Sequence, residues 1–180
     1  MDDLFKRVIP AIRNVKDFEQ AVKTDHQYII LLETRLSQLE SLVKLAKKHQ
    51  KKVIIHTDLV QGLKSDEYGL EYLVNNVKVD GLISTRINVI TYAKKQGVIS
   101  IQRLFILDSH ALNNNLRTSK EIQPDFIEIL PGVIPSVIKE IQEKTKLPVI
   151  AGGLIRTKQD VENCLAYGAY AVTTSNKELW

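Results

Sequence analysis

Cysteine occurs once in the 180-residue chain, at Cys164, so no disulfide can close within it. A scaffold held by cross-links is excluded, and the composition suits a reducing, cytoplasmic compartment. Cys164 falls in a predicted helix, where a lone thiol is expected to pack rather than react. Tryptophan and methionine also occur once each, and aromatics total 6%. That is too few for an aromatic stacking face, and neither an RRM-type motif nor a KH-type GxxG is present. No apolar run approaches the roughly 18 residues that cross a bilayer. The opening MDDLFKRVIP lacks the basic and apolar regions of a signal peptide, so no membrane association is expected. Gly-x-Ser-x-Gly and Cys–His nucleophile arrangements are missing as well.

The chain does have hydrophobic residues at 44% and charged residues at 26%, the balance of an ordinary globular domain. Its length suits one domain, 1–180, with a substantial core. The net charge is +4. Part of the excess is concentrated at Lys44, Lys47, Lys48, His49, Lys51 and Lys52, which reads either as a solvated helix end or as a set of phosphate contacts.

Short Ile/Val-rich runs alternate with segments of helical period. Strands are predicted at 8–13, 28–33, 52–57, 79–84, 98–106, 125–130, 148–152 and 169–174. Helix starts are marked by Asn14 with Asp17, Ser65 before an acidic turn, and Thr157 with Asp160. Strand starts lie 19 to 27 residues apart, and eight evenly spaced units favour a compact TIM-like (β/α)8 barrel over an open sheet. With only Ser175 to Trp180 after the eighth strand, the last helix must be abbreviated.

Sites in such barrels form at the C-terminal strand ends, and phosphate is often held after strands 7 and 8. Gly152 and Gly153 end the seventh run, letting backbone approach an anion. Thr173, Thr174, Ser175 and Asn176 end the eighth, offering hydroxyls and a helix N-terminus. These residues predict a phosphate site, and a phosphorylated small molecule as ligand. Glu33, His56, Asp58 and Glu128 mark the opposite rim, with Asp108 and His110 nearby. They could accept from ligand hydroxyls or hold a divalent metal. Arg13, Arg86 and Arg103 could meet the phosphate or balance the carboxylates. No lysine stands at a predicted strand C-terminus, which disfavours Schiff-base chemistry, although the carboxylates leave acid–base catalysis open. Trp180 is expected to pack beneath the last turn and brace the anion site.

The segments VIPAIRNVKDFEQAV, HTDLVQGLKSDEYGLEYL, SIQRLFILDSHAL, PDFIEILPGVIP and AVTTSNKELW resemble the glycerol uptake operon antiterminator family, from about Arg7 to Trp180. Thr57 stands where an aliphatic residue is usual, Arg86 in place of lysine, and Thr173-Thr174-Ser175 in place of Ser-Thr-Ser. The resemblance implies a TIM-like barrel that senses glycerol 3-phosphate and binds the leader mRNA of glycerol-utilisation operons, allowing transcription past a terminator. Lys44, Lys47, Lys48, Lys51 and Lys52 are then the candidate RNA contacts. Two alternatives stay open: a metal-assisted phosphodiesterase or isomerase acting on a phosphorylated polyol, and a sensor working only through a protein partner.

Overall fold

The computed structural model describes residues 7–180. Eight parallel strands close into a barrel: β1 (Val8–Ile12), β2 (Tyr28–Leu31), β4 (Lys52–His56), β6 (Gly81–Ser84), β7 (Ile99–Phe105), β8 (Phe126–Leu130), β9 (Val149–Gly152) and β10 (Ala171–Thr174). Each predicted strand lies within two residues of an observed one at either end. The barrel closes where β1 pairs with β10, Val8 opposite Val172 and Pro10 opposite Thr174. Two short strands, β3 (Thr34–Arg35) and β5 (Val60–Gln61), pair separately beside the mouth. Two residues are too few to carry a hydrophobic period, so that ladder leaves no mark in the sequence.

Alternation along each strand divides the core in two. Inward positions such as Ile9, Ala11, Ile30, Ile54, Ile83, Ile101, Ile150 and Ala171 fill the barrel. Outward positions such as Ile29, Val53, Leu82, Ile127 and Val172 meet the surrounding helices. These are α1 (Val15–Ala21), α2 (Leu36–Lys48), α3 (Glu67–Glu71), α4 (Ile87–Gln96), α5 (Ser109–Ile122), α6 (Pro135–Thr145) and α7 (Lys158–Ala166). α3 runs into a π-helical turn, Tyr72–Val77, that keeps Leu73 and Val77 buried. The eighth helix is reduced to a 3-10 turn, Lys177–Leu179.

Asn14 caps α1, its Oδ1 accepting from the Asp17 N–H at 2.9 Å. Thr157 and Asp160 form a reciprocal capping box on α7. Ser65 is not the cap of α3; Asp66 takes that place, accepting from the Gly69 N–H at 3.0 Å. A carboxylate at this position also complements the helix dipole, which a serine cannot do. Among the described residues no helix is long and apolar enough to cross a membrane.

Candidate functional site

Two residues beyond the inward layer of Ile54, Ile101, Phe126, Ile150 and Ala171, the same strands present His56, Arg103, Glu128, Gly152 and Thr173. The period of two therefore aims all five into the barrel near its C-terminal mouth. Arg103 lies at their centre. Its Nε donates to Glu128 Oε2 at 2.7 Å, and its Nη1 lies 3.2 Å from His56 Nε2. Thr173 Oγ1 donates to Glu128 Oε1 at 2.8 Å. All four side chains are buried, Glu128 only 1% exposed.

A guanidinium can only donate, so His56 Nε2 accepts and the ring proton sits on Nδ1. That Nδ1 is buried and, among the described residues, unpartnered. Burial first, and then the neighbouring Arg103 charge, push the His56 pKa down to about 4, against the smaller pull of Asp58 and Glu128. The ring is neutral at pH 7.

Above this layer opens a cavity of about 140 Å³, lined by Arg103, Glu128, Thr173, Gly153, Leu154 and Ser175, with Arg13 and Glu33 at its rim. It falls below the roughly 300–1,000 Å³ of drug-sized pockets and suits a small metabolite. Arg103 Nη2 meets no acceptor among the described residues, so a buried cation keeps two donors for whatever enters. No lysine lines the cavity.

The β9–α7 loop forms one wall. Gly153 and Leu154 have φ of +73° and +60°, a left-handed pair that costs Leu154 on the order of 1 kcal/mol. The Gly132 N–H lies 2.5 Å from the Gly152 carbonyl and 3.3 Å from that of Gly153, so both carbonyls are drawn toward the β8–α6 loop. Gly152 acts through the side chain it lacks. A Cβ there would lie 2.4 Å from Thr173 Oγ1 and 2.8 Å from Glu128 Oε1.

The residues after β10 divide by role. Ser175 is exposed and lines the cavity. Thr174 donates to the Ile155 carbonyl at 2.9 Å and accepts from the Asn176 N–H at 3.0 Å. Asn176 donates to the Arg156 carbonyl at 2.8 Å and caps the final 3-10 turn by accepting from Glu178 N–H. Thr174 and Asn176 thus spend their polar groups tying the two walls together. Trp180 Nε1 donates to the Thr174 carbonyl at 2.9 Å.

On the other rim, Glu33 stands in solvent 3.7 Å from Arg13. Asp58 does not line the cavity. It accepts from Ser84 Oγ at 2.6 Å and from the Thr85 N–H and Oγ1 at 2.8 and 3.0 Å. Burial raises its pKa, but these hydrogen bonds together outweigh burial and the net shift is downward. His56 likewise sits beneath the cavity rather than on its wall, facing Arg103. Among the described residues no three His, Cys, Asp or Glu side chains converge on a point. Arg103 occupies the space between His56 and Glu128 and takes the lone pairs a cation would need, so these residues do not fit a metal there. Asp108 and His110 lie outside the cavity wall, at the start of α5.

The basic run is split. Lys44 pairs with Glu40 at 2.7 Å, and Lys47 donates to the Lys78 carbonyl. Lys51 is 8% exposed and donates to the Thr24 carbonyl, which withdraws it from the surface cations. Lys52 donates to Tyr28 Oη at 3.2 Å, at the opposite end of the strands from the cavity. Lys48 stays exposed at the end of α2. Cys164 is buried, its thiol pushed up to about 11 by burial and then by the Asp160 charge; its Sγ donates to the Gly132 carbonyl.

Residues 8–180 match the family model described as glycerol-3-phosphate responsive antiterminator. The crystal structure of a glycerol uptake operon antiterminator regulatory protein from Listeria monocytogenes str. 4b F2365 superposes with a TM-score of 0.94 at 47% identity, covering 97% of this chain and 95% of that one. A glycerol uptake operon antiterminator-related protein from Thermotoga maritima MSB8 gives a TM-score of 0.86 at 28% identity, covering 98% of both chains. The uncharacterized protein YgcP of Escherichia coli (strain K12) is 34% identical over 96% of this chain and 91% of its own length.

Proposed function

The chain belongs to the glycerol-3-phosphate responsive antiterminator family, and on that premise we propose that glycerol 3-phosphate is its effector and occupies the cavity at the barrel mouth. The observation that carries this is Arg103: a buried guanidinium, fixed on two sides, that lines a cavity of metabolite size and has N–H donors to spare. Carboxylates repel a phosphate and accept from hydroxyls. The ligand therefore lies with its phosphate at Gly153 and Ser175 and its glycerol hydroxyls toward Glu128 and Glu33. Gly152 and Asn176 shape and brace this anion end without lining it, and Thr174 lines it with its hydroxyl already engaged by Ile155 and Asn176. His56 positions Arg103, and Asp58 fixes the neighbouring β6–α4 loop.

The regulator's second ligand in this reading is the leader mRNA of glycerol-utilisation operons. Effector binding favours the RNA-competent form through a difference in affinity between two states. An enzymatic reading has less support from the geometry. Glu128 is held by Arg103 and Thr173, and Glu33 is an exposed partner of Arg13.

The test is a titration of labelled leader RNA with and without glycerol 3-phosphate, at two salt concentrations. Affinity should rise with effector and fall with salt as lysine and arginine contacts release counterions. RNA affinity indifferent to the effector would refute the regulatory reading.

A further inference from the structure

A second cavity, of about 370 Å³, lies outside the barrel between α1, α2 and the β3–β5 ladder. Its floor is apolar, made by Ile12, Phe18, Leu31 and Leu42. Its rim carries three amides, Asn14, Gln38 and Gln61, and two guanidiniums, Arg13 and Arg35. Arg35 meets no carboxylate among the described residues and makes no side-chain cap on α2. The Thr34 hydroxyl oxygen, also in this wall, is buried and unpartnered among the described residues. A buried orphan donor is costly, and Thr34 lines a space that a ligand can fill.

We propose that this cavity receives one nucleotide of a single-stranded RNA, an inference that rests on the RNA-binding reading above. An apolar floor ringed by amides suits a flat heteroaromatic ring, because amides offer donors and acceptors to base edges. A plain phosphate would leave the floor unused. Arginines match the phosphodiester attached to such a base. Splayed bases of single strands are what sequence-specific RNA readers take, and a pocket supplies the contact that this aromatic-poor chain cannot supply by stacking. The track continues along one edge of α2. Gln38, Leu42, Leu45 and Lys48 recur at three- and four-residue intervals, with Leu45 40% exposed and Lys48 exposed.

The same geometry gives the effector a route to the RNA. Arg13 and Glu33 line both cavities, so their ion pair is the ridge between them. At 3.7 Å, with side chains 60% and 54% exposed, the pair holds weakly, and a ligand on one side can draw either partner across.

Fluorescence anisotropy of labelled leader RNA, with saturating glycerol 3-phosphate, tests the proposal in wild type, Arg35→Ala and Gln38→Ala. Both residues are exposed, so the fold is retained. Each variant should lose RNA affinity by about tenfold or more, while calorimetry gives effector affinity within about twofold of wild type. Wild-type RNA affinity that persists in both variants overturns the nucleotide site and leaves the RNA reading standing. Absence of RNA binding by wild type sinks both. AMP or UMP binding tightly, with loss in Arg35→Ala but RNA affinity intact, assigns the cavity to free mononucleotides and overturns the proposal.

Discussion

Arg103 holds two acceptors of different character, the Glu128 carboxylate and the neutral His56 ring, and each fixes a different edge of the guanidinium. Lysine offers a point charge without that fork. Arg103→Lys should therefore lower glycerol 3-phosphate affinity about tenfold or more in calorimetry while keeping the charge; unchanged affinity would remove Arg103 from the site. His56 gives a pH signature. Well above pH 6.5 the ring is neutral in folded and unfolded chains and adds no pH dependence. Below 6.5 the unfolded chain binds a proton that the folded protein refuses until about pH 4, so stability falls as pH falls through that window. The loss reaches roughly 3 kcal/mol once both forms are protonated. His56→Gln keeps an acceptor for Arg103 and should flatten this dependence in urea unfolding at pH 7.5 and 5; identical slopes would contradict the assignment. Gly152→Ala forces a methyl against Thr173 and Glu128 and should cost about 1–3 kcal/mol in the same assay.

The loop after β9 and the tail after β10 behave as one element, although 20 residues separate Arg156 from Asn176. Thr174, Asn176 and Trp180 bind them together, and Lys177 meets Asp17 of α1 at 2.5 Å across the seam where the barrel closes. Removing Trp180 should free the Thr174 carbonyl and weaken effector binding several-fold, with a smaller effect on thermal stability; full affinity in the truncated chain would show the brace to be dispensable. At this scale the sequence was most legible. Apolar runs and capping residues placed every barrel strand, because burial on both faces writes a continuous Ile/Val signal. It was silent on β3 and β5, too short to show a period, and a run of cations hid the burial of Lys51 beneath Thr24.

Across the whole molecule, the barrel register decides what meets what. His56 and Arg103 are 47 residues apart and touch only because β4, β6 and β7 stand side by side with inward positions level. The strand-end rule could therefore name His56, Arg103 and Glu128 as neighbours of a site, but not which would face a ligand and which another side chain. The reverse holds for His56 and Asp58. Two apart in sequence, they do lie close, Asp58 Oδ2 3.8 Å from His56 Nε2, yet the hydrogen bonds of Asp58 go to Ser84 and Thr85 after β6. The paired glycines pointed to one end of a cavity, which Gly153 lines, while the guanidinium at its floor needed the closed barrel to be seen. The most direct measurement is calorimetric titration of glycerol 3-phosphate into wild type and Ser175→Asp, with thermal melts of both. The expected result is one site in wild type, abolished in the variant by like charge at the anion end, and an unchanged melting temperature without ligand. Equal affinity in the two folded proteins would contradict it.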